Sequence, residues 1–209
     1  MMDIGIFGGS FNPIHIGHLI VAEEVFQQRK LSKIIFIPTG ISPHKESGGL
    51  IASSHRYQMV KQAISDNDHF EVSDIEVKRS GKSYTVDTIR TLREELGREH
   101  NLFLIMGTDM INEISTWKDI EMLSQMCHFI VVNRFPVVMN ADIIKKSAIG
   151  IKKKAEIEKL MVQIPSIGIS STEIRKKLET GLSIKYLVPT CVENYIRTHS
   201  LYLKRQPHV

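Results

Sequence analysis

Residues 3–18 read DIGIFGGSFNPIHIGH. The apolar run Asp3 to Phe7 stops at a glycine pair, Gly8 and Gly9. Beyond His15 and His18 the residues Leu19, Ala22, Val25 and Phe26 recur at helical spacing. Strand, loop, helix is the order in which an open α/β sheet builds a ligand site at the carboxyl end of a strand. Glycine lets the backbone approach a ligand closely, and the first turn of a helix offers N–H groups to an anion. Ser10 and Phe11 complete the loop. Two imidazoles three residues apart leave the helix start on one side, within reach of a single phosphate chain. A lone histidine there reads as a cap or a core residue, whereas His-x-Gly-His after Gly-Gly points to phosphate. The standard phosphate loops do not fit, because no Gly-Lys-Ser/Thr follows and Gly5, Gly8 and Gly9 lack the dinucleotide spacing. A resident metal does not fit either, since the histidine pair would need a third ligand and no carboxylate pattern supplies one.

Outward from this stretch, Lys33 to Pro38 (KIIFIP) is β-branched, closes on proline and reads as a second buried strand. Thr39 to Ser53 is rich in Gly, Ser and Pro and reads as a long loop of the functional kind. Ser54 then opens a helix through Ile64. Phe70 to Val77 reads as a strand, Val86 to Leu96 as a helix, Leu102 to Met106 as a strand, Ile120 to Met126 as part of a helix and His128 to Val132 as a fifth strand. Val162 to Ile164 adds a candidate strand, Thr172 to Glu179 a helix and Pro189 to Thr198 a closing helix. This alternation predicts an α/β fold: a doubly wound, mainly parallel sheet with helices on both faces and a small C-terminal helical portion, in one domain spanning 1–209.

Composition narrows the function classes. With 42% hydrophobic and 24% charged residues the chain has enough apolar material for a full core, which excludes disorder. The net charge, 27 − 23 = +4, suits anionic small molecules and is too weak to argue for nucleic acid. Six lysines between Lys145 and Lys159 are expected on the surface. No apolar run nears the roughly 18 residues of a membrane helix. No basic leader precedes Arg29, and Cys127 and Cys191 stand without a second pair, so a soluble, cytoplasmic chain is expected.

Further candidates lie downstream. In Ile169-Ser170-Ser171-Thr172-Glu173-Ile174-Arg175 a hydroxyl cluster at a helix start offers donors to phosphate, and Arg175, one turn on, can fork onto phosphate oxygens. Alone this reads equally as a capped helix. Ser83 to Thr88 begins a helix, so the N–H groups around Tyr84 and Thr85 can hold a carboxylate and would meet a carboxamide less well. Trp117, the single tryptophan, can be a plate for a positively charged ring or a core residue beneath a helix start. Gly107 permits close approach of a nucleoside after the fourth strand, and Asp109 can accept from ribose hydroxyls or cap a helix. Lys45, in the long loop, is a mobile cation for phosphate or a solvated lysine.

Gly8 to His18 and Ile169 to Arg175 are similar to the two signatures of the nucleotidyltransferase superfamily, whose His-x-Gly-His element is shared with class I aminoacyl-tRNA synthetases. Over nearly its whole length the chain resembles the bacterial nicotinate-nucleotide adenylyltransferases. The resemblance includes Ile41 to Lys45, Ser83 to Thr88, Met106 to Asp109, Trp117, Tyr186 to Pro189, and Val192, Tyr195 and Ile196. It implies a Rossmann-like fold with the site at the switch between the first and fourth strands. It also implies AMP transfer from ATP to nicotinate mononucleotide, giving deamido-NAD and pyrophosphate in NAD synthesis. His15, His18, Lys45 and Arg175 then take the catalytic roles. Gly8, Gly9, Ser10, Phe11, Tyr84, Thr85, Gly107, Asp109, Trp117, Ser170, Ser171 and Thr172 take the substrates, and the resemblance places Arg134 near the adenine and ribose. Mg²⁺ is expected to arrive bound to ATP, since no carboxylate cluster stands ready to hold it alone. ATP and nicotinate mononucleotide are the expected partners, with no nucleic acid and no membrane, and a homo-oligomer stays open. Two positions depart from the family's pattern: Asn12 stands where Asp is common, and Asn133-Arg134-Phe135-Pro136 where an Arg-Pro-Gly turn is usual.

Three rival readings stay open. One is another His-x-Gly-His transferase, acting on nicotinamide mononucleotide or phosphopantetheine, or a cytidylyltransferase. A second is a nucleotide-binding regulator without turnover, and a third is a basic nucleic-acid module built on residues 145–159. A tRNA synthetase is not expected, because 209 residues leave no room for an anticodon-reading domain.

Overall fold

In the computed structural model, which describes residues 1–42, 50–132, 157 and 159–203, the N-terminal apolar run becomes the central strand of a sheet. β1 (Asp3–Gly9), β2 (Lys33–Pro38), β3 (Phe70–Val72), β4 (Asn101–Gly107) and β5 (His128–Val132) lie in the order β3-β2-β1-β4-β5, every neighbouring pair parallel. Parallel strands covered on both faces need apolar residues in succession, and Ile34, Ile35, Phe36 and Ile37 of β2 are all buried. The chain moves outward from β1 to β3 on one side, crosses back, and moves outward from β4 to β5 on the other. The connections leaving β1 and β4 therefore diverge and open a crevice at the carboxyl ends of those strands.

Successive strand residues point to opposite faces, so the core divides in two. On one face Ile34, Phe36, Ile105 and Ile130 pack beneath α1 (Ile16–Arg29), α2 (Ser53–Ala63), α6 (Ser171–Glu179) and α7 (Thr190–Thr198). On the other, Ile4, Ile35, Leu104 and Phe129 pack beneath α3 (Thr85–Leu96), α4 (Thr108–Glu113) and α5 (Ile120–Met126). Each such large side chain, fully buried, contributes about 1.5–3 kcal/mol, and neither cluster closes without its own helices. α1 ends at Lys30 in the left-handed region (φ 50), and the Leu31 N–H closes back on the Phe26 carbonyl at 3.1 Å. That turn drops Leu31 against Gly5, where an added Cβ would lie 2.9 Å from both Leu31 Cδ1 and Ile34 Cγ1. Among the described residues no helix is long and apolar enough to cross a membrane.

Two expected strands are shorter than their sequence pattern. Phe70 to Val77 pairs only over Phe70–Val72; the Ser73 N–H makes a last bond to the Phe36 carbonyl and the chain then turns, with the Lys78 N–H on the Asp74 carbonyl. The alternation continued because Ile75 packs against the second cluster from within that turn. Val162 to Ile164 makes a single bridge, Val162 to Val132, and no strand. Of the lysine-rich segment, residues 145–156 lie outside the described residues, and Lys159 is exposed.

Gly40, just past β2, leaves no room for a side chain, since a Cβ there would collide with the Glu76 carbonyl. Gly40→Ala should therefore lower stability by about 1–3 kcal/mol, read as a shift of the urea midpoint at unchanged m.

Candidate active site

The diverging connections enclose a cleft of about 600 Å³. One wall comes from the helices of the first face. The end of β1 and the loop after it bring Gly8, Gly9, Ser10 and Phe11, the start of α1 brings its N-cap His15 and His18, and the start of α6 brings Ser170, Ser171, Thr172 and Arg175. The other wall comes from the second face, with Tyr84 and Thr85 at the start of α3, Gly107 and Asp109 at the junction of β4 and α4, and Trp117 after the 3-10 turn Ile114–Thr116. Every expected site residue that the structure describes lines this cleft. Lys45 and Arg134 lie outside the described residues.

His15 is the N-cap residue of α1 and only 3% exposed. Its backbone N–H donates to His18 Nδ1 at 3.2 Å, and the two rings stack with centroids 3.6 Å apart. A neutral ring that accepts at Nδ1 carries its proton on Nε2, so this bond fixes His18 as a donor at Nε2. The Phe11 ring meets the His18 ring edge-on at 5.0 Å and limits its rotation.

Between β1 and α1, four backbone carbonyls are taken up by protein donors. The Thr39 N–H donates to Gly9 O at 2.9 Å, Arg56 Nη1 to Ser10 O at 2.7 Å, Arg175 Nη1 to Asn12 O at 2.8 Å and Ser171 Oγ to Pro13 O at 2.8 Å. These bonds give the second motif a further role. Ser170 Oγ is occupied as the N-cap of α6, accepting from the Glu173 N–H at 3.2 Å, and Arg175 spends its fork on Asn12 O and on Thr172 Oγ1 at 3.3 Å. The motif thus ties α6 to the first loop. Toward the cleft it retains the Ser171 and Thr172 N–H groups, the Ser170 hydroxyl proton and the remaining guanidinium donors.

Asn12, the first departure from the family's pattern, is 3% exposed and accepts the Tyr202 hydroxyl at 2.8 Å. An amide at this position adds no negative charge beside a phosphate site. Burial pushes the Tyr202 hydroxyl pKa up, against the pull of Arg175 and Arg56, which keeps it a neutral donor.

On the second wall the α3 helix begins at Thr85 with Tyr84 as N-cap residue. Beneath it Glu76 is 8% exposed. Thr88 Oγ1 donates to Glu76 Oε1 at 2.7 Å and itself accepts from Arg79 Nη1 at 2.8 Å. Burial raises the Glu76 pKa, opposed by the bond from Thr88, by the nearby Gly40 N–H and by the charge of Arg79. Lys118 Nζ lies 4.7 Å from the centroid of the Tyr84 ring and 3.1 Å from Asp87 Oδ2, bridging the Trp117 turn to α3. Burial pulls the Asp87 pKa up, but Lys118 and Arg90 outweigh it and hold the carboxylate below its usual range. Gly107 has an extended backbone (φ −77) and lines the cleft, and it is itself the N-cap residue of α4; Asp109 sits in that helix's first turn.

The sequence reading passed over Glu76, Lys118, Tyr202 and Arg56. Arg56 left a signal: with Met59, Val60 and Ala63 it sits at positions i, i+3, i+4 and i+7 of α2, a charge on the apolar stripe.

Comparison with known proteins agrees with this geometry. Residues 6–177 match the family described as cytidylyltransferase-like. A probable nicotinate-nucleotide adenylyltransferase of Moorella thermoacetica is 42% identical over 97% of this chain and 92% of its own length. One of Clostridium tetani is 41% identical over 97% and 100%. Among solved structures, the Plasmodium falciparum nicotinic acid mononucleotide adenylyltransferase complexed with NaAD superposes with a TM-score of 0.78 at 25% identity, covering 97% of this chain and 98% of that one.

Two measurements check the supports of the cleft. Tyr202→Phe removes the bond to Asn12 and should lower stability by about 1 kcal/mol, measured by urea unfolding. A raised Glu76 pKa means the native state holds its proton to higher pH than the unfolded chain. The group's stabilising contribution is then complete below the unfolded value of 4.5 and is lost as pH rises through the folded one. Glu76→Gln should accordingly gain stability relative to wild type between pH 4.5 and 7; a constant or falling difference in urea midpoints would contradict this.

Proposed function

The chain belongs to the cytidylyltransferase-like family and, within it, to the nicotinate-nucleotide adenylyltransferases, and from that membership we infer that it transfers AMP from ATP to nicotinate mononucleotide, releasing pyrophosphate and deamido-NAD. The observation that carries this reading is the single cleft in which the His15–His18 pair and the α6 N-terminus face the start of α3 and Trp117. One wall suits a polyphosphate, the other a positively charged ring that carries a carboxylate.

The reaction is an in-line attack of the mononucleotide's 5′-phosphate on the α-phosphorus of ATP. That nucleophile is already ionised near pH 7, so catalysis reduces to positioning and charge neutralisation. We assign His15 and His18 to the triphosphate and to the charge that develops at the α-phosphoryl, with His18 donating from Nε2. Arg175 and the first-turn N–H groups of α6 take the leaving pyrophosphate, and Lys45 meets the incoming phosphate. Gly107 and Asp109 receive the nucleoside, with Arg134 on its adenine side. ATP enters as its Mg²⁺ complex; among the described residues no group of three His, Cys, Asp or Glu could hold a metal. At the other end the N–H groups of Tyr84 and Thr85, at the positive end of α3, receive the pyridine carboxylate, and Trp117 supplies a face for the ring. A carboxamide NH2 turned toward those donors would be repelled, which favours the acid. The whole chain, 1–209, acts as one domain. Its cytoplasmic setting rests on two separate thiols, with Cys127 Sγ on Leu123 O and Cys191 Sγ on Gln62 O.

Pyrophosphate release with ATP and nicotinate mononucleotide tests the assignment. Release should fall sharply with nicotinamide mononucleotide and vanish with phosphopantetheine, and release confined to phosphopantetheine would overturn it. His18→Ala should lower kcat about 100-fold or more with the fold intact by circular dichroism.

A further inference from the structure

Arg56 is 2% exposed, among the largest fully buried side chains of the protein. Its guanidinium has no carboxylate at hydrogen-bonding distance among the described residues. It donates instead to three carbonyls from separate parts of the chain: Ser10 O at 2.7 Å, Gly40 O at 3.2 Å and Ile51 O at 3.2 Å. Ser10 belongs to the loop after β1, while Gly40 and Ile51 stand near the two ends of the connection between β2 and α2. A buried charge spent on carbonyls is costly to keep, so the orientation it imposes on those peptides needs a reason.

Phe11 supplies one. Its backbone is left-handed (φ 43), a region that costs a residue with a Cβ roughly 1–2 kcal/mol. The Ser10–Phe11 peptide is trans, and in a trans peptide the C=O and the N–H point opposite ways. Arg56 does not line the cleft, whereas Ser10 and Phe11 do. Holding the Ser10 carbonyl on Arg56 therefore turns the Phe11 N–H away from the guanidinium, toward the cleft.

We propose that Arg56 is a positioning residue for adenylyl transfer: by fixing the Ser10 carbonyl it holds the strained Ser10–Phe11 peptide with its N–H aimed at the transferred phosphoryl group, and through Gly40 and Ile51 it sets the β2–α2 connection in register with that loop. The inference rests on the adenylyltransferase reading. Arg56 touches no substrate and acts through Phe11.

Arg56→Lys keeps the charge but lacks the planar fork, and Arg56→Ala removes both. In either variant kcat should fall about 100-fold, as for a displacement of roughly 1 Å at a reacting group. KM for nicotinate mononucleotide should change by less than about threefold, since the pyridine wall is built by α3 and Trp117. Millimolar guanidinium added to Arg56→Ala should restore kcat, and methylammonium at the same concentration should not. If Arg56→Ala fails to fold, Arg56→Lys decides alone. Near-normal kcat in a folded Lys variant would overturn the proposal, as would guanidinium that raises the melting temperature of the Ala variant without raising kcat. The two readings fail separately: an inactive wild type refutes the adenylyltransferase assignment, and an active wild type with an undiminished Lys variant refutes only the role of Arg56.

Discussion

The site depends on where the peptide groups between β1 and α1 point. A loop that approaches a polyphosphate must keep its carbonyls off the anion, because each one presents a partial negative charge. Here the carbonyls of Gly9, Ser10, Asn12 and Pro13 are drawn to a backbone N–H, two arginines and a serine hydroxyl. The donors come from the β2 loop, α2 and α6, so three separate elements must be docked before the loop takes its binding shape. Folding of the first face of the sheet and assembly of the phosphate end are in this sense one event.

The other wall follows the same logic with different chemistry. Burial of Glu76 disfavours its charged form, and the bond from Thr88 opposes that cost. The Ser83 N–H on Ile41 O, at 2.8 Å, joins the β2 loop to the start of α3. The β2 loop thus touches both ends of the cleft, through Gly40 O on Arg56 and Ile41 O on the Ser83 N–H. Glycine is required there for lack of space, since a side chain would strike the Glu76 carbonyl. A single residue outside either signature therefore sets the spacing between the two walls.

Much of this was legible in the sequence. The strand–loop–helix run from Asp3 to Phe26 declared its fold class because hydrophobic period and glycine placement are local properties. β2, α5 and β5 fall where their apolar runs predict. β3 is shorter than its pattern because alternation records which residues face the core, and Ile75 is partly buried in a turn that no strand pairs with. The two signatures named the residues on the phosphate wall, but a hydroxyl or a guanidinium in a sequence does not show which loop it also holds. Ser170 Oγ and Ser171 Oγ are occupied by Glu173 N–H and Pro13 O.

By itself, the sequence determined the parallel α/β architecture, the end of the sheet that carries the site, and the pairing of histidines with a capped basic helix, because each follows from periodicity, spacing and residue chemistry within short segments. Only the tertiary structure decided which side chains hold the ligand and which hold the loop that does so. Arg56 and Tyr202 reach the site from 46 and 190 residues away from their partners Ser10 and Asn12. Hydrogen bonds to backbone carbonyls and amides leave no trace in a sequence, because every residue but proline carries the same two groups. Their direction is set by packing alone.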